Sequence, residues 1–441
     1  VLIITYYWPP AGGPGVQRWL KFVKYLRQYG WEPVVLTVSG GTYPSVDPTL
    51  EAEIPEGLTV YKTRANSGPF RWYNLLKGNR SRQVSVALIN TAKKPSLFDS
   101  LAIFVRSNLF IPDARKGWNK SAMKAVPEIL EKHQPALVIS SGPPHSTHLT
   151  GLKIARQNAI PWIADLRDPW TTVFYNMVMP RTSRTKRIDQ KLEDAVISLA
   201  DAVVVVSEGM KHEFEGRAKR IEVIPNGYDE DDMHRDMIQV EQQYFTLLHT
   251  GNLAPSQHVP ALWDAIAGII NDNNDFAADF RLKFVGNTDG SIIRYLEEKG
   301  LANNVIQQGY VEHREATRLM TEATMVLLVI PRTPGNGSVV TGKVFEYLAS
   351  GTPVLGVGPV DGDAAAILTD TGRSAMVDFD DEIVIRQRLT EAYTHWLEHG
   401  RRLPRHHPGS ATRYSRESAT YTLTQLMDEV VGEYDVKKNE A

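Results

Sequence analysis

Short apolar runs alternate along this chain with segments whose apolar positions recur every three or four residues. Val1–Tyr6 is almost wholly apolar, as expected for a parallel strand buried on both faces. Val16, Leu20, Val23 and Leu26 then repeat at helical spacing, and Gly30 sits where a helix-ending glycine belongs. The pattern predicts further strands at Pro33–Val38, Ala136–Ser140, Pro161–Asp165, Ala202–Ser207 and Ile221–Pro225, with helices over Thr147–Asn158 and Thr185–Ala200. A second series starts at Phe245. Its strands are Phe245–Thr250, Arg281–Val285, Val305–Gln308, Met325–Ile330 and Thr352–Gly356, with helices near 259–271, 290–299, 314–322 and 341–350. This alternation predicts an α/β protein with two tandem doubly wound parallel sheets, each covered by helices on both faces. A ligand is expected in a cleft that the two domains face.

Asn226–Tyr244 separates the two series. It is polar and acidic (Asp229, Glu230, Asp231, Asp232), lacks an apolar period, and reads as the linker. The expected domains are 1–240 and 241–412. A final helix and tail follow at 413–441, because Leu423, Leu426, Val430 and Val431 lie at helical spacing.

At 441 residues the chain is too long for one ordinary core, consistent with that division. The absence of cysteine excludes disulfides, thiol catalysis and zinc–thiolate sites. Apolar runs such as Met325–Ile330 fall far short of the roughly 20 residues that span a bilayer. With no signal-peptide pattern at the start, a cytoplasmic location is expected. A net charge of −2 gives no general attraction to nucleic acid, and no nucleic-acid partner is expected. Residues 62–135 depart from that balance, with fourteen Lys and Arg against four acids and with aromatics such as Phe70, Trp72, Phe104 and Phe110 interleaved. They form either an ordinary solvated surface or a face for an anionic membrane, which would make the protein peripheral at the inner membrane face.

Chemistry-bearing residues collect at predicted strand ends. Gly12, Gly13 and Gly15 follow the first strand and let backbone approach a ligand at a helix N-terminus, although a tight structural turn needs the same residues. His145 and His148 lie between a strand and a helix, where an imidazole can bind a sugar hydroxyl or cap a loop. No third ligand accompanies them, so no metal is expected there. Asp165, Arg167 and Asp168 end another strand and form either a cleft wall or an Arg–Asp pair that fixes the loop. Gly251–Asn252, Gly286 and Gly309-Tyr310-Val311 mark strand ends in the second half. Thr341 and Gly342 can open a helix on which Lys343 and Glu346 share a face. This is a clamp for a nucleotide diphosphate, or a plain helix–turn–strand unit with a surface Lys/Glu pair.

Pro9-Pro10 with Gly12-Gly13, Ser141-Gly-Pro-Pro-His-Ser-Thr-His148, Asp165-Leu-Arg-Asp-Pro-Trp170, Ile224-Pro-Asn-Gly227, Gly309-Tyr-Val311 and Gly342-Lys-Val-Phe-Glu-Tyr-Leu-Ala-Ser-Gly-Thr-Pro-Val354 together resemble GT-B glycosyltransferases of glycosyltransferase family 4. The resemblance runs nearly end to end. It implies two Rossmann-like domains, a nucleotide-diphosphate sugar donor held by the C-terminal domain, an acceptor held by the N-terminal domain, and metal-independent transfer with retention of configuration. No cofactor beyond that co-substrate is implied. Bacterial relatives build surface polysaccharides or lipid-linked glycans, so a glycan or lipid-linked acceptor is implied.

By the same resemblance, Glu346 binds the donor ribose, and His145 or His148 lies near the donor sugar. The donor set is Gly12, Gly13, Gly15, Asn252, Gly286, Tyr310, Val311, Arg332, Thr341, Gly342, Lys343 and Glu346. Arg167 and Trp170 are placed on the acceptor, and Lys343, Asp168 and the two histidines in the catalytic group. The chain departs from the family at two points. Ser338 stands where a second acid is common, and Asn252 and His258 stand on a loop that often carries Arg and Lys. Lys343, the helix N-terminus and Arg332 are therefore expected to meet the diphosphate charge. A sugar-nucleotide epimerase of the same architecture and a non-catalytic glycan-binding relative are the alternatives. A nicotinamide oxidoreductase lacks its glycine spacing here.

Overall fold

The computed structural model describes residues 1–65, 97–233 and 242–440. The part of the basic region between 66 and 96 lies outside the described residues. The chain forms two compact units, Val1–Asn226 with Arg416–Ala441, and Gly227–Ser415.

The first unit holds a seven-stranded sheet of β1 (Leu2–Thr5), β2 (Val34–Ser39), β3 (Thr59–Arg64), β4 (Val138–Gly142), β5 (Trp162–Leu166), β6 (Ala202–Val205) and β7 (Ile221–Val223). The order is β3-β2-β1-β4-β5-β6-β7 and every pair is parallel. Strands β1, β4, β5 and β6 are buried along their whole length, which explains why their sequences, Asp165 of β5 excepted, are apolar or small without alternation. Edge strand β3, Thr-Val-Tyr-Lys-Thr-Arg, is only partly buried, and it was not predicted because it carries no apolar run.

Helix Pro14–Leu26 turns Val16, Trp19, Leu20 and Val23 onto one face of the sheet. The last helix, Arg416–Glu440, returns to this unit and adds Leu423, Leu426, Met427 and Val430 to the same cluster. Trp31 Nε1 donates to Asp428 at 3.0 Å across that contact.

The second unit holds β8 (Phe245–Thr250), β9 (Phe280–Val285), β10 (Val305–Gln308), β11 (Met325–Val329) and β12 (Val354–Val357) in the order β10-β9-β8-β11-β12, again all parallel. The units divide at Asn226/Gly227 and Ser415/Arg416, outside the expected 240 and close to the expected 412. Burial places the first boundary. Ile224 is enclosed in the first unit's core and Tyr228 in the second's. Gly227, at φ +67, lets the chain pass the Tyr414 carbonyl, which a Cβ there would approach to 2.4 Å.

Strand order reverses between β1 and β4 in one sheet and between β8 and β11 in the other. Loops leaving the carboxyl ends of those strands flank the crevices where such sheets bind ligands.

Candidate functional site

At the first crevice the glycine loop follows β1. Gly12 N–H donates to the Ser45 carbonyl at 3.0 Å, and a Cβ on Gly12 would meet Ser45 Oγ at 3.0 Å. Gly13, at φ +102, starts helix Pro14–Leu26 with no side-chain cap; Pro14 has no N–H, and the Val16 and Gln17 N–H groups donate to the Gly13 carbonyl at 3.0 and 3.3 Å. Gly15 faces Arg167, whose Nη1 would lie 1.7 Å from a Cβ there.

The loop after β4 continues this wall. Arg167 Nε donates to the Gly142 carbonyl at 3.2 Å and Nη2 to the Pro143 carbonyl at 2.7 Å. His145 stacks on Trp170 with ring centres 4.7 Å apart and planes 9° off parallel. His148 Nδ1 pairs with Ser140 Oγ at 2.9 Å, while its Nε2 is buried without a hydrogen bond. Both nitrogens of His145 also lack a well-formed hydrogen bond, although the Pro169 backbone nearby favours its protonation. Burial first and Arg167 second lower the His148 pKa to about 3. Burial first and His148 second hold His145 well below the ordinary imidazole value. Both rings are therefore neutral near pH 7 and can exchange hydrogen bonds without carrying charge.

Asp168 is exposed beside Arg167, whose charge favours its carboxylate form. Trp170 is buried and its N–H is spent on Asp189 at 2.8 Å, so it backs His145 and offers no edge to an acceptor.

Asp165 pairs with Arg18 rather than Arg167. Arg18 Nη2 donates to Asp165 Oδ1 at 2.9 Å, and Trp19 Nε1 and Ser141 Oγ donate to Oδ2 at 2.9 and 2.8 Å. Arg18 Nη1 reaches the Ile224 and Pro225 carbonyls. This network, buried at the Arg18–Asp165 pair, ties the helix after β1, β4, β5 and the end of the unit together. Asp113 holds the start of helix Ser146–Asn158, accepting from the Ser146 N–H and Oγ at 2.8 Å each. Neither role was read from the sequence. The only local sign of the first is a charged residue, Arg18, beside apolar Val16, Trp19 and Leu20.

In the second unit Gly251 and Gly286 meet back to back at the ends of β8 and β9. A Cβ on Gly286, at φ +123, would lie 2.4 Å from the Gly251 oxygen. Lys343, in the first turn of helix Gly342–Ser350, extends to this pair. Its Nζ would be 3.3 Å from a Cβ on Gly251 and donates to the Asn252 carbonyl at 3.5 Å. Burial lowers the Lys343 pKa and Glu346, one turn on, raises it. Tyr347 anchors the helix by accepting from the Thr250 N–H at 3.1 Å. His249, beneath the loop, donates from Nδ1 to the Leu327 carbonyl at 3.0 Å, and burial with Lys343 nearby drops its pKa to about 3. Thr341 Oγ1 is buried without a partner beside an N-terminus that has no side-chain cap.

Gly251, Asn252, Gly286, Thr341, Gly342, Lys343 and Glu346 thus gather at one crevice. Val311 packs against the second unit's core cluster that holds Val344 and Phe345, whereas Tyr310 is 82% exposed. Arg332 is held by Asp380 and lies over the Phe379 ring at 5.0 Å, so its guanidinium is already committed.

Two parallel α/β sheets with such switch-point crevices define the architecture of a GT-B glycosyltransferase. The structure is similar to a sucrose-phosphate synthase from Thermosynechococcus elongatus, covering 98% of this chain and 99% of that one, with TM-score 0.63 and 15% identity. It is similar to Anabaena Alr3699/HepE in complex with UDP (97% and 99% covered, TM-score 0.58, 15% identity). It is also similar to WaaG, a glycosyltransferase involved in lipopolysaccharide biosynthesis (96% and 98%, TM-score 0.53, 14%). At these identities the likeness is one of fold.

In sequence, residues 70–232 match the family model Glycosyltransferase Family 4, and residues 244–395 match Glycosyl transferases group 1. The chain belongs to the GT-B glycosyltransferases of the family 4 type. No curated protein matches it by sequence.

Proposed function

We propose that this glycosyltransferase moves a sugar from a nucleotide-diphosphate donor to a glycan or lipid-linked acceptor. In this reading the transfer retains anomeric configuration, needs no metal ion, and serves bacterial surface polysaccharide synthesis. One observation carries the reading: Lys343 extends from a helix N-terminus over the Gly251–Asn252 backbone at the β8/β11 crevice. A cation and unsatisfied N–H groups at one point stabilise the charge that develops on a leaving diphosphate, the role a metal ion fills elsewhere. Anabaena HepE, of the same fold, was solved in complex with UDP, which supports a nucleotide as the ligand.

Glu346 then accepts from the ribose hydroxyls. The second unit takes the donor and the first takes the acceptor. There Arg167 binds acceptor hydroxyls beside Asp168, and the neutral His145, backed by Trp170, lies behind them without adding charge. The acceptor hydroxyl attacks C1 on the face the diphosphate leaves, and its proton passes to a diphosphate oxygen.

A lipid-linked acceptor is also supported by an exposed apolar surface on the first unit. Helix Leu97–Leu109 leaves Leu101, Phe104 and Leu109 exposed, and helix Phe174–Val178 leaves Met177 and Val178 exposed. Asn108 joins the two segments through the Pro180 carbonyl at 2.8 Å and the Thr182 N–H at 2.8 Å. Exposed Arg184, Lys186 and Arg187 follow. Apolar side chains beside basic ones suit an anionic bilayer surface. Sedimentation with phosphatidylglycerol vesicles is expected to carry the protein down at low salt and less so at high salt. Absent or salt-insensitive binding removes the membrane from the reading.

The direct test is thermal denaturation with UDP, GDP, ADP, dTDP and CMP, followed by intact sugar nucleotides. A ligand at a hundred times its Kd stabilises by about 2.7 kcal/mol. One nucleotide is expected to raise the melting temperature, with the rise lost in Glu346→Ala. Turnover of that donor is expected to fall about tenfold or more in Lys343→Ala. Near-normal turnover in that variant refutes the diphosphate role. Nucleotide release with no acceptor present favours the epimerase.

A further inference from the structure

Helix Glu382–Glu398 ends in His395-Trp-Leu-Glu398-His399. One ligand atom from each of His395, Glu398 and His399 lies within 4.8 Å of the others. Positions i, i+3 and i+4 share a helical face, which is why the sequence brings them together. Trp396, between them, is wholly buried and points into the second unit's core, so the turn is anchored while Glu398 and His399 remain exposed.

His399 Nδ1 lies 2.8 Å from the His395 carbonyl, which can only accept. The proton is therefore on Nδ1, and Nε2 carries a lone pair directed away from the backbone. A backbone carbonyl on the far nitrogen is the arrangement that orients metal-bound histidines. The two rings lie 3.8 Å apart and 25° off parallel. The last turn of a helix also favours a cation through its dipole. Arg401, the nearest arginine in the chain, lies over the Trp396 ring and pairs with Asp279 at 3.4 Å.

We propose that His395, Glu398 and His399 form a surface site for a divalent transition-metal ion of the Zn²⁺ or Ni²⁺ type, separate from the Lys343 crevice. Two imidazoles and one carboxylate match that class, and water completes the shell; magnesium and calcium prefer all-oxygen sites. Tetrahedral bonds of about 2.0–2.1 Å place ligand atoms about 3.3–3.4 Å apart, so these atoms close by at most about 1.5 Å, within the reach of rotamer changes at an exposed helix end. Binding clamps the final turn, through which Trp396 Nε1 reaches Gln242 at 3.3 Å and Arg401 reaches the Gln243 carbonyl at 3.0 Å. The ion therefore stabilises the second unit and takes no part in transfer.

Isothermal titration of the full chain, freed of any histidine tag, with ZnCl₂, NiCl₂ and MgCl₂ tests this. One equivalent of zinc or nickel and no magnesium is expected to bind. His395→Ala and His399→Ala are each expected to weaken binding by at least about tenfold. Zinc is expected to raise the melting temperature of the wild type and not of the double variant. The protein has 12 histidines, so binding left intact in the double variant places the ion elsewhere and overturns the proposal. No titratable binding in the wild type overturns it as well.

Discussion

Gly286→Ala is expected to destabilise the second unit and weaken nucleotide binding together. The new Cβ would sit 2.4 Å from the oxygen, 2.8 Å from the carbon and 3.0 Å from the Cα of Gly251. These atoms are backbone and cannot rotate away. Gly286 also sits at φ +123, where an L side chain is strained. The conformational part costs about 1–2 kcal/mol and the overpacking about 1–3 kcal/mol. A loss near 3 kcal/mol lowers the melting temperature by about 6–12 °C for a unit of this size.

Gly300→Ala is the matched control, because Gly300 has φ +79 and nothing within 4 Å of a new Cβ. It carries the conformational cost alone, about 1–2 kcal/mol. Both variants are compared by thermal denaturation and by titration with the nucleotide that stabilises the wild type. Gly286→Ala is expected to melt lower and bind more weakly, since it displaces the loop under Lys343, while Gly300→Ala binds normally. Equal melting temperatures and equal affinities would refute the claim that back-to-back glycines hold the crevice.

Arg18→Met is expected to cost about 3–5 kcal/mol in urea denaturation, because it leaves Asp165 buried without its cation. The double variant Arg18→Met with Asp165→Leu is expected to recover part of that loss, and no recovery would mean the carbonyl contacts to Ile224 and Pro225 dominate. Stability is expected to fall with pH below about 6.5 through His145, His148 and His249. The unfolded chain takes up their protons near the ordinary value, whereas the folded His148 and His249 do so only near 3. Their stabilisation is complete above 6.5 and lost as pH falls toward 3, at up to about 1.4 kcal/mol per pH unit for each ring. His249→Gln is expected to flatten the measured slope between pH 6 and pH 4 by up to that amount; an unchanged slope contradicts the assignment.

Local pattern alone determined much of this protein. Apolar runs marked all the central strands, and helical spacing marked helix Gly342–Ser350 and its Lys343 and Glu346, because strand and helix periods are written in consecutive residues. Motif order along the chain was enough to indicate the GT-B architecture. Three things needed the tertiary structure.

Edge strand Thr59–Arg64 carries no apolar run and is defined by its pairing with β2. The chain's crossing back at Arg416 depends on which core the apolar face of the last helix meets, a contact nearly four hundred residues away in sequence. Charge pairing was equally hidden: Asp165 chose Arg18 over the neighbouring Arg167, and Arg332 chose Asp380 over the crevice. A side chain's residue type limits what it can bind, but burial and distance decide which partner it has. Those are properties of the folded surface and not of the local sequence.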